Sequence, residues 1–317
     1  MSLLSIIVPC YNEEESIIAF YEEFISVYDN SIIKYNPEIE YELILVNDGS
    51  KDNTLKLLKE LASNDANVKY ISFSRNFGKE SALYAGLKNS SGDYIAVMDA
   101  DLQDPPNLLP EMIETLDRED YDIVATRRVS REGEPHIRSF FARTFYKLFN
   151  RISKVELVDG ARDYRLMTRQ VVDAILDLSE YNRFSKGIFS WVGFDTKWLE
   201  YKNIERVSGE TSWSFWGLFK YAIEGVMAFT TVPLVISTVL GIIISFVSFL
   251  YLIYIVLSTI LFGNNVHGWA STVSIMILLG GIQLFSIGVL GQYLGKTYIE
   301  TKNRPIYITK ETNIEKE

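Results

Sequence analysis

The sequence has a single cysteine, Cys10, among its 317 residues and only two histidines, His136 and His267. One cysteine excludes a disulfide framework, and its place in an apolar run gives it the role of a small buried hydrophobe. The histidines lie far apart without metal-ligand spacing, which argues against zinc chemistry. Basic residues are outnumbered, 31 against 41 acidic, for a formal net charge of -10. That balance disfavours nucleic acid as a partner. No G-x-G-x-x-G follows the first apolar run and no G-x-x-x-x-G-K-[ST] occurs, so the dinucleotide and P-loop fingerprints are both missing. The glycines from Gly291 to Thr297 have the wrong spacing for a phosphate loop and read as small-residue helix packing. The N-terminus lacks a basic segment and a long apolar core, so no signal peptide is expected.

Charge is also missing from one long interval: no Asp, Glu, Lys or Arg occurs between Glu224 and Lys296. Two apolar runs fill it, about Val232 to Phe262 and about Ser271 to Leu294, and roughly 20 apolar residues suffice to cross a bilayer. Lys202, Arg206 and Lys220 precede the pair, Lys296, Lys302 and Arg304 follow it, and the connection from Gly263 to Gly268 carries no fixed charge. By the positive-inside rule the chain is expected to be a multi-pass protein of the plasma (inner) membrane with both termini cytoplasmic. The spans hold no ionisable residue that would suit an ion path. The expected division is a cytoplasmic domain over 1–211, a juxtamembrane amphipathic helix over 212–230, two transmembrane helices over 231–295 and a cytoplasmic tail over 296–317, polar and mobile from Thr309 to Glu317.

From Leu4 to about Arg127, short apolar runs alternate with amphipathic segments. Leu4 to Pro9, Tyr41 to Asn47, Val68 to Phe73, Tyr94 to Met98 and Ile123 to Thr126 read as strands. Glu14 to Tyr28, Asp52 to Ala62, Lys79 to Lys88 and Asn107 to Leu116 read as helices. This alternation predicts an α/β fold with a mainly parallel sheet covered by helices on both faces. In such sheets ligands sit beyond the carboxyl ends of the strands. The polar clusters fall at those ends: Pro9-Cys10-Tyr11-Asn12-Glu13, Asn47-Asp48-Gly49-Ser50, Ser74-Arg75-Asn76-Phe77-Gly78-Lys79 and Asp99-Ala100-Asp101-Leu102-Gln103-Asp104. Asp99 and Asp101, with the side-chain carbonyl of Gln103, can present hard oxygen ligands to Mg2+ or Mn2+ while phosphate oxygens complete the shell. Asp48 can accept from a base or ribose, and Tyr11 can pack on the base. The competing reading is an acidic turn in which Asp caps the next helix, with Asp48 to Ser50 a plain turn and Asn12 a helix cap.

Farther on, Arg127, Arg128 and Arg131 follow the fifth strand, and arginines suit phosphate recognition. A basic amphipathic helix is expected over about 135–152. Ile137, Phe140, Phe141, Phe145, Leu148, Phe149 and Ile152 fall at helical spacing, with Arg138, Arg143, Lys147 and Arg151 between them. It suits an anionic membrane surface, or the flank of the sheet. The aromatics from Trp213 to Phe229 make a second interfacial candidate.

The combination I-V-P-C-Y-N-E-E-E, V-N-D-G-S, S-R-N-F-G-K-E, M-D-A-D-L-Q-D-P-P and G-A-R-D-Y-R-L-M resembles glycosyltransferase family 2. Within it the chain resembles the dolichyl-phosphate mannose synthase group and the bacterial polyprenyl-phosphate (bactoprenol) glycosyltransferases with a two-helix C-terminal anchor. The resemblance implies a GT-A fold, Rossmann-like, with a two-helix transmembrane hairpin. It also implies an inverting, metal-dependent hexosyl transfer from a nucleotide sugar to a polyprenyl phosphate. UDP-glucose is the first choice of donor, with GDP-mannose and UDP-N-acetylglucosamine as alternatives. On these motifs the nucleotide sugar would meet Pro9, Tyr11, Asn12, Glu13, Asp48, Asn76, Lys79, Asp99, Ala100, Asp101 and Arg127. The metal, Mg2+ or Mn2+, would sit on Asp99, Asp101 and Gln103. The acceptor phosphate would meet Arg128, Arg131, Arg206 and Ser212, and Asp163, Asp101, Arg128 and Arg131 would carry the catalysis. After the serine of Arg206-Val207-Ser208-Gly209-Glu210-Thr211-Ser212 the family commonly has Lys where Trp213 stands. Asp163 can instead pair structurally with Arg162 or Arg165. A separate flippase and a downstream transferase are implied partners, and the helix-packing glycines leave self-association open. A polysaccharide synthase is the competing enzyme, although its Q-x-x-R-W motif is absent, and a non-enzymatic membrane scaffold is the competing class.

Overall fold

The computed structural model describes residues 2–128, 136–201, 215–262 and 268–315. These divide into two compact units, one of residues 1–225 with 305–317 and one of residues 226–304.

The first unit is built on an eight-stranded sheet. In chain order its elements are β1 (Ser2–Cys10), α1 (Ile17–Val27), a π-helical turn with the short α2 (Ile33–Tyr35), β2 (Ile39–Asn47), α3 (Thr54–Asn64), β3 (Val68–Phe73), α4 (Lys79–Lys88), β4 (Tyr94–Val97), α5 (Leu109–Arg118) and β5 (Ile123–Arg128). Then follow α6 (His136–Ile152), β6 (Ala161–Thr168), α7 (Arg169–Leu176), α8 (Ser185–Trp191), β7 (Thr196–Tyr201) and α9 (Phe215–Phe229). The last strand, β8 (Thr309–Thr312), comes after the long helices α10 (Val232–Phe262) and α11 (Trp269–Thr301).

Strand order is β7-β5-β6-β4-β1-β2-β3-β8. β1 pairs in parallel with β2 and β4, and β2 with β3, so the carboxyl ends of the first four strands share one edge. Strand periodicity sends alternate side chains of β2 to opposite faces. Leu43 and Leu45 join Phe20 and Phe24 of α1 and Leu58 of α3 in one buried cluster. Ile44 and Val46 join Ala82 and Ala85 of α4 in another. A Cβ at Gly86 would stand 2.2 Å from Cγ2 of Ile7, so only glycine lets α4 lie this close to β1.

The sheet departs from the sequence expectation in two places. It is mixed, because β6 runs antiparallel between β4 and β5. Its far edge is completed by β8, antiparallel to β3, where a mobile tail was expected. The catalytic unit therefore gathers residues from both sides of the apolar pair, not 1–211 alone. The reversal of β6 matters for function, since an antiparallel strand brings its first residues to the edge where its parallel neighbours end. Arg162 and Asp163 arrive there in that way.

In the second unit, α10 has 31 residues and α11 has 33. At about 1.5 Å per residue each exceeds the roughly 30 Å hydrocarbon core of a bilayer. Val232–Ser258 and Ser274–Thr301 are long and apolar enough to cross a membrane. Their large side chains are exposed, including Ile242, Phe246, Ile277 and Leu284, as lipid-facing helices require. The second span lies within a longer helix than the sequence outlined.

Candidate active site

The loops after the first three strands are laced together. After β1, Asn12 takes a left-handed backbone at φ 57°. Its N–H donates to Ser50 Oγ at 3.0 Å and its Oδ1 accepts from the N–H of Lys51 at 2.9 Å. The N–H of Glu13 donates to Thr54 Oγ1 at 2.8 Å, and Glu14 accepts from both nitrogens of Asn53. Cys10 closes β1 one position after Pro9, and Tyr11, the next residue, is 43% exposed. After β2, Asp48 is buried and accepts through Oδ1 from the N–H of Phe77 at 2.6 Å and through Oδ2 from the N–H of Gly78 at 2.9 Å. Burial raises its carboxyl above the ordinary value against those two bonds. Gly49, at φ +66°, lies against the Arg75–Asn76 peptide, and a Cβ there would stand 2.5 Å from the Arg75 carbonyl carbon. Asp48 thus builds the loop that carries Asn76 and Lys79.

Lys79, the first residue of α4, joins the two carboxylates that matter most. Its ammonium donates to Asp99 at 2.7 Å and to Asp163 at 2.7 Å, with the second Asp99 oxygen 3.0 Å away. These three side chains come from β3–α4, β4 and β6. Desolvation works against ionisation of Asp163, but Lys79, Lys186 and Arg165 outweigh it and hold the carboxyl well below its ordinary value. Desolvation also opposes the Lys79 charge, yet Asp163 and Asp99 outweigh it and push the ammonium above its ordinary value. The Lys79 side chain is 41% exposed, so its stem reaches solvent while its head is held by carboxylates. Neither Arg162 nor Arg165 makes the alternative pair with Asp163. Arg165 donates to the backbone oxygens of Asp163 and Arg162 and stacks its guanidinium 3.6 Å over Phe189.

Beyond β4, Leu102 takes φ 56°, a strained position for a branched side chain. It turns the chain between Asp101 and Gln103, and Asp101 Oδ1 accepts from the N–H of Gln103 at 3.1 Å. Ala100 is buried beneath them. Gln103 Oε1 accepts from Arg162 at 3.2 Å, which fixes the amide and leaves one carbonyl lone pair. The donor set of Asp99, Asp101 and Gln103 is all oxygen, which suits Mg2+ or Mn2+. Among the described residues no group of three or more His, Cys, Asp or Glu could hold a metal, so a diphosphate and water would have to supply the rest of the shell. The donor chemistry suits the ion, while both Asp99 oxygens already meet the Lys79 ammonium.

Four further groups at this edge escaped the sequence reading. Asp104 is fully buried and binds Arg162 Nε at 2.9 Å and the hydroxyl of Tyr201 through Oδ1. Glu80 accepts from the N–H of Ser185 at 2.9 Å and from its hydroxyl, which ties α4 to α8. Burial raises the Glu80 carboxyl to about 6, opposed by Ser185 and assisted by Asp163. Lys186 Nζ donates to the carbonyl of Ala161 at 3.2 Å. Asp104 and Glu80 sit inside motifs already singled out; nothing marked Tyr201 or Lys186.

The arginines divide differently. Arg127 forms an ion pair with Glu200 on β7, three places from β4 in the sheet order. The N–H of Arg128 donates to the Gly160 carbonyl at 3.0 Å, just ahead of Asp163 in the chain. Arg131, Arg206 and Ser212 lie outside the described residues, as does Trp213. On α6, Phe149 is fully buried while Leu148 is 53% exposed, so the helix packs through one face and offers apolar surface on another.

Residues 5–176 match the family model for glycosyl transferase family 2. The chain is 44% identical over 307 residues to the prophage bactoprenol glucosyl transferase homolog of Escherichia coli (strain K12), covering 97% of this chain and 98% of that protein. It is 43% identical over 310 residues to the bactoprenol glucosyl transferase of Shigella phage SfII, covering 98% of each. A crystal structure of glucosyl-3-phosphoglycerate synthase from Mycobacterium tuberculosis, in complex with Mn2+, UDP-glucose and phosphoglyceric acid, aligns with a TM-score of 0.46. The identity is 17%, over 71% of this chain and 78% of that one.

Proposed function

Because the chain belongs to glycosyl transferase family 2 and is a glycosyltransferase of GT-A fold, we propose that it transfers a hexose, glucose from UDP-glucose first, to the phosphate of a polyprenyl lipid at the cytoplasmic face of the inner membrane. The observation that carries this reading is the convergence of Lys79, Asp99 and Asp163 at the sheet edge where the loops from Pro9 to Glu13 and from Asp48 to Gly49 also end. Relatives named bactoprenol glucosyl transferase support the lipid acceptor.

A phosphate oxygen of the acceptor attacks the anomeric carbon from the face opposite the leaving group. The bond from that carbon to the diphosphate oxygen breaks, and the nucleoside diphosphate leaves with the electron pair. Asp99, Asp101 and Gln103 would hold Mg2+ or Mn2+, which when bound supplies positive charge to the departing diphosphate. Lys79 contributes a second cation on the same side. An acceptor phosphate with a second pKa of about 6 is already largely ionised near neutral pH. A carboxyl held as low as that of Asp163 is a weak base. Asp163, ion-paired with Lys79, is assigned to orient Lys79 and the acceptor, with removal of a residual proton as its alternative task. Arg128 and Arg131, with Arg206 and Ser212, are the groups assigned to the acceptor phosphate. Tyr11, Asn12, Glu13, Asp48, Asn76 and Arg127 are assigned to the nucleotide sugar.

Residues up to Gly225 and those from Pro305 onward belong to one compact unit, so both ends of the intervening segment lead back into it along the chain, which supports the reading that both are cytoplasmic. Two helices are too few to line a sugar path, so a separate flippase and a later transferase would complete the sequence of reactions.

Transfer of labelled sugar from a panel of UDP- and GDP-sugars to undecaprenyl phosphate, with purified protein in lipid-detergent micelles, tests the reading. A chloroform-soluble product that requires Mg2+ or Mn2+ and is lost in Asp99→Ala is expected, with Asp163→Asn strongly impaired. A folded protein that yields no lipid product with any donor refutes the acceptor, and a polymeric product points to a polysaccharide synthase.

A further inference from the structure

The segment that follows α11 makes contacts that the transfer reaction does not explain. β8 pairs with β3 in the register Ile71↔Thr312, Ser72↔Glu311 and Phe73↔Thr309. Side chains reinforce the pairing: Asn313 Oδ1 accepts from the N–H of Tyr70 at 2.7 Å, and Lys59 meets Glu311 at 2.7 Å. Just ahead of the strand, the carbonyl of Ile308 accepts from the N–H of Ser74 at 3.0 Å, the residue that opens the loop carrying Asn76 and Lys79.

Tyr307 carries the contact inward. Its ring stacks on Phe73 with centroids 4.9 Å apart and planes 23° apart, and meets Tyr84 of α4 edge-on at 6.4 Å. Phe73 in turn meets Phe77 at 5.7 Å in an edge-to-face pair, and the guanidinium of Arg75 lies 4.0 Å over the Phe77 ring. The backbone N–H of Phe77 is the one that Asp48 holds at 2.6 Å. A continuous line of rings therefore runs from the C-terminal segment to the loop that Asp48 shapes.

We propose that Tyr307 is a positioning residue for nucleoside-diphosphate binding, and that residues 305–314 back the donor loop. This rests on the nucleotide-sugar reading of the site. Without the Tyr307 ring, Phe73 and Phe77 lose their backing and the Phe77–Gly78 amides are no longer held towards Asp48. Donor affinity falls, while the Lys79 head keeps its place through its ion pairs with Asp99 and Asp163 and the chemical step is retained.

The test compares full-length wild type, Tyr307→Ala and Tyr307→Phe in lipid-detergent micelles. It measures the Kd for UDP and GDP, KM and kcat for the donor, and hydrogen exchange at Phe77 and Gly78. Tyr307→Ala is expected to weaken nucleotide binding and raise KM about tenfold with little change in kcat, and to speed exchange at those amides. Tyr307→Phe keeps the stack, loses only the 3.4 Å bond from Asn89, and is expected to match wild type. If Tyr307→Ala does not fold, Tyr307→Leu keeps apolar volume without the stack and carries the same expectation. A folded Ala or Leu variant with unchanged Kd and unchanged exchange overturns the proposal, as does a loss confined to kcat. If wild type binds neither nucleotide, the donor reading fails, and the exchange data still decide whether Tyr307 holds the loop.

Discussion

Removing the Lys79 charge by Lys79→Met should tighten divalent-metal binding while impairing turnover, an opposite pair of effects that few substitutions near a carboxylate would give. Both Asp99 oxygens face the Lys79 ammonium, at 2.7 and 3.0 Å, so any cation placed on Asp99 competes with it. At 2.7 Å the Coulomb attraction is about 6 kcal/mol for an effective dielectric of about 20. Because the Lys79 side chain is 41% exposed, desolvation and screening reduce the net value to about 1–2 kcal/mol. Lifting that competition should tighten Mn2+ binding about 5- to 30-fold. Asp163 loses the strongest of the cations that hold its carboxyl down, which leaves Lys186 and Arg165 to do so.

The assay is an electron-paramagnetic-resonance titration of Mn2+ into the full-length protein without donor, for wild type, Lys79→Met and Asp99→Asn. Lys79→Met should bind more tightly than wild type and Asp99→Asn more weakly, while transferase activity falls in both. Equal or weaker Mn2+ binding by a folded Lys79→Met variant would show that Lys79 and the metal do not share Asp99, and the reasoning would fail.

Glu80 gives a pH signature with a defined sign. Its carboxyl is raised from 4.5 to about 6 in the fold, so between those values the folded state binds more protons than the unfolded chain. Stability therefore falls as pH rises through that window and stays lower above it, by about 2 kcal/mol. Glu80→Gln should raise Tm relative to wild type at pH 7.5 and lose that advantage near pH 4.5; an equal difference at both values would refute the linkage. The buried pair of Asp104 with Arg162 tests the site's foundation in a different way. Arg162→Met leaves a fully buried carboxylate without its cation and should cost about 3 kcal/mol, whereas adding Asp104→Asn should recover part of it. Thermal unfolding of the two single variants and the double variant measures the coupling, and simple additivity would rule it out.

The parallel half of the sheet was legible because each of its strands announces itself locally. Val68–Phe73 and Lys79–Lys88 end where the apolar pattern ends, and turn chemistry at Asp48-Gly49 and Pro105-Pro106 marks what lies between. Direction and partnership are not local. Nothing in Ala161–Thr168 says that it runs against β4, and nothing in the polar run Thr309–Thr312 says that it finds the open edge of β3. Polar side chains that flank an edge strand look the same, written out, as those of an untethered tail.

The site shows the same limit at the scale of single residues. From the sequence, Asp163 has two obvious partners, Arg162 beside it and Arg165 two positions on. Strand geometry removes the first, because consecutive side chains leave β6 on opposite faces. Arg162 accordingly turns to the buried Asp104 and holds Gln103 with its other arm. Arg165 shares the face of Asp163, but Phe189 and two backbone oxygens take its guanidinium. Asp163 is left for Lys79, 84 positions earlier, and Lys79 is also the partner of Asp99. One lysine thus ties the acidic turn after β4 to the start of β6. That connection exists only because β6 enters the sheet reversed.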